Sequence, residues 1–193
     1  MSTLADAAVQ LLQPGAVGVI PTDTVYGLVS RASDPVAVAR LYASKLREHK
    51  PGTIIAANIG QLEALGLKHR YVKAVEQFWP GAISVIIPCA DPGLAYLHQA
   101  KMSLAVRIPE SPALQQLLQQ TGPLLSSSAN QPGKSPAINI AQARDYFGDT
   151  IDFYVDGGDL SAQLPSTIIR VVDDAIEIIR QGAVTLDENG RRL

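Results

Sequence analysis

Ala16-Val17-Gly18-Val19-Ile20, followed without a break by Pro21-Thr22-Asp23-Thr24-Val25-Tyr26-Gly27-Leu28, is the stretch on which the fold turns. Its first five residues form a short apolar run that reads as a buried strand. The segment after it carries threonine hydroxyls and a glycine at a strand end, where open α/β sheets place their ligands. On spacing alone the plainer reading is a strand-to-turn transition whose threonines bond their own backbone.

Working outward, Leu4, Ala7, Ala8, Leu11 and Leu12 lie at helical spacing, and Pro14-Gly15 ends that run. Asp34-Pro35 has the form of an N-cap followed by proline at the first helical position, predicting a helix to about Leu46. Further helices are expected over 70–79, 112–120 and 139–147. Apolar strands are expected at 53–57, 83–87, 104–108, 124–126, 151–155, 167–172 and 175–180. Asp173-Asp174 is a plausible hairpin turn between the last two. Strands and helices interleave, at roughly six or seven strands, which predicts an α/β or α+β fold. With the hairpin, the sheet is expected to be mixed, twisted and flanked by helices. No composition shift marks a boundary, so residues 1–193 are expected to form a single domain.

Hydrophobic residues make up 47% of the 193 and charged residues 18%, which suits a buried core and argues against disorder. No apolar run approaches the roughly 20 residues that cross a bilayer, so no membrane partner is expected. The N-terminal stretch has an acidic residue and no basic region, unlike a signal peptide. The single cysteine, Cys89, excludes an internal disulfide framework and fits a reducing compartment, so a cytoplasmic location is expected. Scattered histidines make a dedicated metal site an unpromising reading. Sixteen Lys+Arg against 18 Asp+Glu gives a net charge of −2, unlike a constitutive nucleic-acid coat. Basic residues nevertheless cluster locally, at Arg40, Lys45, Arg47 and Lys50 and again at Lys68, Arg70 and Lys73. A solvated helix face accounts for them as simply as a polyanion does.

Four further segments carry groups suited to chemistry. Lys45-Leu46-Arg47 closes the helix after Pro35, where two cations complement the helix dipole or grip a polyphosphate. Ser126-Ser127-Ser128-Ala129-Asn130 follows a strand and offers hydroxyls and an amide to phosphate or carboxylate oxygens. It is neither a P-loop nor a nucleophile elbow, because both glycine patterns are missing. Arg107 interrupts the apolar run 104–108, so it either reaches water at the strand end or binds an anion. Arg180 raises the same question, and Pro165-Ser166-Thr167 sets a hydroxyl pair at the start of a strand.

Each segment is weak alone, but their order is specific. Pro21-to-Leu28, Lys45-x-Arg47, Val106-Arg107-Ile108-Pro109, Ser126-to-Asn130, then Gly157-Gly158, Pro165-Ser166-Thr167 and Arg180-x-Gly182 resemble the YrdC/TsaC family of threonylcarbamoyl-AMP synthases. The resemblance runs from about Val17 to Val184 and is similar to the short, single-domain form, without the C-terminal domain some members carry.

The resemblance implies a YrdC-like twisted sheet with a concave, basic cavity. It implies ATP, L-threonine and bicarbonate as substrates, threonylcarbamoyl-AMP and pyrophosphate as products, and Mg²⁺ entering with ATP. The product would serve tRNA threonylcarbamoyladenosine modification, with tRNA or the threonylcarbamoyl-transfer complex downstream; the competing readings are a non-catalytic RNA-binding module of the same fold and a nucleotide-binding paralogue with another product. Carried over, the Lys-x-Arg pair falls on Lys45 and Arg47, and the serine and asparagine on Ser128 and Asn130, with Ser126 flanking. The threonine contacts fall on Thr22 and Thr24, and the remaining anion-binding residues on Arg107, Ser166 and Arg180. Departures from the family pattern are the loop between Arg47 and Lys50, one residue short, Glu48 where a proline is usual, and Val29 in place of a glycine.

Overall fold

The computed structural model describes residues 3–45, 50–172, 175–187 and 190–193. Their strands form one mixed sheet of nine, in the order β7-β1-β2-β6-β3-β5-β4-β8-β9. These are β1 (Val17–Pro21), β2 (Tyr26–Arg31), β3 (Thr53–Ile55), β4 (Ile83–Pro88), β5 (Ser103–Arg107), β6 (Leu124–Ser128), β7 (Phe153–Tyr154), β8 (Thr167–Val172) and β9 (Ala175–Arg180). The helices are α1 (Leu4–Leu11), α2 (Pro35–Ser44), α3 (Ile59–Ala64), α4 (His69–Lys73), α5 (Ala95–His98), α6 (Pro112–Thr121) and α7 (Ile140–Phe147). The pairs β1–β7, β3–β5 and β4–β8 are parallel and the other five antiparallel, so the sheet is mixed as expected. β8 and β9 form the expected antiparallel hairpin; residues 173 and 174, read as its turn, lie outside the described residues. α2 ends at Ser44 with Lys45 as its C-cap, short of the expected end at Leu46, which itself lies outside the described residues.

Several elements differ from the sequence reading. The largest difference is Tyr26–Arg31: the stretch 21–28 reads in sequence as a strand-to-turn transition, yet Tyr26–Arg31 is a strand in which Tyr26 through Ser30 are buried. It pairs with β1 on one side and β6 on the other, so it is an interior strand. The helix expected over 70–79 divides into α4 and a short 3₁₀ turn, Glu76–Phe78. α3 and α5 carry too few turns for a period to show.

Side-chain alternation explains both the core and the cavity. One face of the sheet carries Val17, Val19, Tyr26, Leu28, Ile54, Val106, Leu125 and Ile169, all in one buried apolar cluster. The other face carries Ile20, Val29, Ile55 and Leu124, covered by Ala7, Ala8 and Leu11 of α1 and Leu114, Leu117 and Leu118 of α6. Along that second face each central strand changes character two residues on. Val29 gives way to Gly27, Leu124 to Ser126 and Ser128, and Ile55 to Thr53. The register keeps these positions side by side: Gly27 opposes Ser128 and Thr53 opposes Ser126. Apolar positions therefore bury under two helices, and small or polar positions leave a hollow beside them.

α2 is started by Asp34, whose carboxylate accepts from the N–H groups of Val36 and Ala37 at 3.0 and 3.1 Å and from Gly15 at 2.7 Å. Burial works against the Asp34 charge, but these N–H groups outweigh it and hold the carboxyl below its ordinary value. Asp34→Ala is expected to cost about 1 kcal/mol, a fall in melting temperature of roughly 2–4 °C for a chain of this size. A depressed folded pKa gives stability that is complete above the unfolded value of about 3.9 and lost as pH falls through the folded one. Thermal melts of the two proteins should therefore differ at neutral pH and converge in strong acid.

Candidate active site

The hollow is a cavity of about 340 Å³. It is floored by Thr53, Ser126 and Ser128, and walled by the β1–β2 loop (Thr22, Thr24, Val25), by Pro51-Gly52 and by Asn130 and Pro136. Arg107, Ser166, Ile168 and Arg180 close its far side. Gly27 and Gly52 are required by close approach: a Cβ at Gly27 would meet Ser126 Oγ at 2.9 Å, and one at Gly52 would meet the Ser126 carbonyl at 2.7 Å.

At one end, the Lys45 ammonium donates to Asn130 Oδ1 at 3.0 Å and to the backbone carbonyl of Ser128. Ser128 Oγ donates to the same Asn130 oxygen at 2.6 Å, and the Asn130 amide nitrogen donates to the carbonyls of Gln131 and Lys134. The amide orientation of Asn130 is thus fixed from both sides, and Lys45, only 3% exposed, is held beneath it. The order is imposed locally: Lys45 caps α2, while Ser128 ends β6 and Asn130 follows two residues on.

At the other end, Arg180 Nη2 donates to the Ser166 carbonyl at 2.6 Å, and Ser84 Oγ donates to Ser166 Oγ at 2.9 Å. Arg107 Nη2 lies 3.0 Å from Asp23 Oδ1, both side chains buried. Burial pushes the Asp23 carboxyl up from its ordinary value, and Arg107 pulls it back only in part. Burial also pushes Arg107 down, against the pull of Asp23 and with the repulsion of Arg180.

The threonines behave differently from the expectation that they offer free hydroxyls. Thr22 Oγ1 donates its one proton to the Val25 carbonyl at 2.7 Å and accepts from the Thr24 N–H at 3.2 Å. In the 3.0 Å contact between the two hydroxyls, Thr24 must then be the donor. Thr22 is filled by its own loop, as the plainer sequence reading had it. Thr24 retains acceptor capacity only.

The cavity gathers Thr22, Thr24, Arg107, Ser126, Ser128, Asn130, Ser166 and Arg180 around one space, with Lys45 behind Ser128 and Asn130. Arg47 lies outside the described residues, as do Glu48 and His49. Sequence reasoning passed over Asp23, although a charge between two threonines after a buried strand matches the buried charge at Arg107. It also gave no role to Gly157-Gly158. The Gly157 N–H donates to the Tyr26 hydroxyl at 2.8 Å, and that hydroxyl donates to the Gly158 carbonyl at 2.9 Å. A Cβ at Gly157 would stand 2.4 Å from Pro21, so the glycine lets this segment brace the β1–β2 loop.

Among the described residues, hydroxyls, an amide and cations surround a hollow on an α/β sheet, a donor set suited to anionic groups. The family model Sua5/YciO/YrdC, described as "Telomere recombination", matches residues 10–182, and this chain belongs to that family. It is 38% identical over 176 residues to the threonylcarbamoyl-AMP synthase of Pseudoalteromonas translucida, covering 86% of this chain and 92% of that one. It is 35% identical over 187 residues to the threonylcarbamoyl-AMP synthase of Bacillus subtilis, covering 94% of this chain and 54% of that one. Among solved structures it resembles Pyrococcus abyssi Sua5 complexed with L-threonine, at a TM-score of 0.82 and 27% identity, over 95% of this chain and 55% of that chain. The chain therefore spans little more than half the length of the last two. Among the described residues, no helix is long and apolar enough to cross a membrane.

Proposed function

We propose that the chain is an L-threonylcarbamoyladenylate synthase, which makes threonylcarbamoyl-AMP and pyrophosphate from L-threonine, bicarbonate and ATP. The observation that carries this reading is the cavity with two anion-binding ends, Lys45–Ser128–Asn130 at one and Arg107–Ser166–Arg180 at the other. The names of its relatives support it.

The chemistry asks little of protein acids and bases. The threonine amine adds to bicarbonate or dissolved carbon dioxide to give a carbamate, and water or a proton leaves accordingly. A carbamate oxygen attacks the α-phosphorus of ATP, and the bond to the β-phosphate oxygen breaks to release pyrophosphate. Positioning and charge neutralisation supply most of the acceleration in such a transfer. Lys45 neutralises phosphate charge and holds Ser128 and Asn130 in place. Ser126 offers its hydroxyl to phosphate or carbamate oxygens, while the Ser128 hydroxyl is committed to Asn130 Oδ1 and holds that amide in place. Arg107, Arg180 and Ser166 take the remaining anionic groups, the threonine carboxylate among them. Thr24 accepts a hydrogen bond from the substrate, because its proton is already committed.

Mg²⁺ enters with the ATP substrate, held by phosphate oxygens and water. The donor set does not suit a metal held by the protein. Among the described residues no cluster of three His, Cys, Asp or Glu exists, and the Asp23 carboxylate faces Arg107. The product is a reactive mixed anhydride, suited to transfer onto tRNA.

Pyrophosphate release from ATP is expected to require both L-threonine and bicarbonate. Release that is equally fast without threonine would point to a plain ATPase and sink the reading.

A further inference from the structure

The cavity wall is backed by one carboxylate for which the reaction has no use. Asp23 lies on the β1–β2 loop, is absent from the cavity lining, and meets Arg107, which does line it. The side chains are 9% and 5% exposed. Arg107 Nη1 also donates to Thr24 Oγ1, a long contact of 3.4 Å. Two neighbouring side chains of one loop therefore hold the two terminal nitrogens of the guanidinium. The Asp23 contact is an ion pair without hydrogen-bond geometry, and Arg107 Nε has no hydrogen-bond partner among the described residues, so the guanidinium keeps N–H donors beyond these contacts.

Two consequences follow from charge. Arg180, on the same side of the cavity, repels Arg107, so without a counter-ion the guanidinium has a long hydroxyl contact and a like charge to set its direction. A buried cation stripped of its partner is also strongly disfavoured. In addition, the Asp23–Arg107 pair is neutral as a unit. It offers directed N–H donors without net charge, which matches a single carboxylate better than a polyphosphate.

We propose that Asp23 is a positioning residue, which aims the Arg107 guanidinium at the carboxylate of the amino-acid substrate and so sets the preference for a free carboxylate. This inference rests on the reading above that the cavity takes L-threonine, and its test keeps the two apart. Calorimetric titrations would compare L-threonine with L-threoninamide, which keeps the amine, hydroxyl and methyl but lacks the carboxylate. The wild-type protein should prefer threonine. Asp23→Ala should weaken threonine by at least about tenfold, the size of one lost charge-assisted hydrogen bond, and leave threoninamide within about twofold. Asp23→Asn keeps an acceptor oxygen in place and should recover most of the preference. Should Asp23→Ala fail to fold, Asp23→Ser, too short to reach Nη2, must show the same collapse. A purely structural role weakens both ligands equally, and that result, or an unchanged preference in the alanine or serine variant, overturns the inference. A wild-type protein that binds neither ligand overturns the functional reading itself.

Discussion

Replacing Lys45 by alanine is expected to lower turnover roughly a hundredfold, about 2.7 kcal/mol of transition-state stabilisation. The side chain is buried, and its ammonium joins the Ser128 carbonyl to the Asn130 amide oxygen. On the proposed reading, losing it removes a cation from the end of the cavity that takes the phosphates, as charge moves onto the leaving pyrophosphate. It also removes a donor that helps fix the Asn130 amide. Lys45→Met separates these effects from packing, since it keeps an apolar stem of similar length without the charge. Both variants should lose turnover alike in a steady-state assay. A folded Lys45→Met variant with wild-type turnover would reduce the lysine to a cap on α2.

Gly182→Ala is expected to be the most destabilising single-methyl change near the site. A Cβ there would stand 2.1 Å from the Pro165 carbonyl oxygen and 2.6 Å from the Ser166 carbonyl carbon, both backbone atoms that no rotamer change can move. The chain at Gly182 is also tied down, its N–H donating to Thr167 Oγ1 at 3.0 Å and the next N–H to the Pro165 carbonyl at 2.8 Å. Overpacking of this kind costs about 1–3 kcal/mol, and contact with fixed backbone places this site at the upper end. The expected fall in melting temperature is roughly 6–12 °C. Because Arg180 donates to the Ser166 carbonyl, relief of the clash displaces that end of the cavity as well. Thermal melts and ligand titration on the same protein check both parts. A variant that melts with the wild type would mean the two segments separate freely.

Those two residues show how the sequence could and could not be read. The strands β1, β5, β8 and β9 were legible because β-branched and other apolar residues dominate their sequences, even in β9, where no residue is buried. β2 was not, because burial on both faces removes the polar alternation and Gly27 sits where the cavity needs space. Lys45, Ser128, Asn130, Arg107, Ser166 and Arg180 were legible only through the order of their motifs, since each segment alone suited a cap or a loop. Their convergence depends on strand register, Gly27 against Ser128 and Ile168 against Arg180, which no local pattern encodes. Gly182 and Gly157 look like ordinary turn glycines until the partner segments are known. Asp23 was missed because its meaning lies in Arg107, far away in the chain. The saturation of the Thr22 hydroxyl is a matter of counting protons in a folded loop.

The identity of the product tests the proposed reaction most directly. The protein would be incubated with ATP, bicarbonate and labelled L-threonine, and the mixture separated and weighed by mass spectrometry. The account predicts a labelled adduct with the mass of threonylcarbamoyl-AMP, formed in step with pyrophosphate and absent when bicarbonate is withheld. AMP or ADP formed without any threonine-containing adduct, at a rate unaffected by threonine, would contradict it.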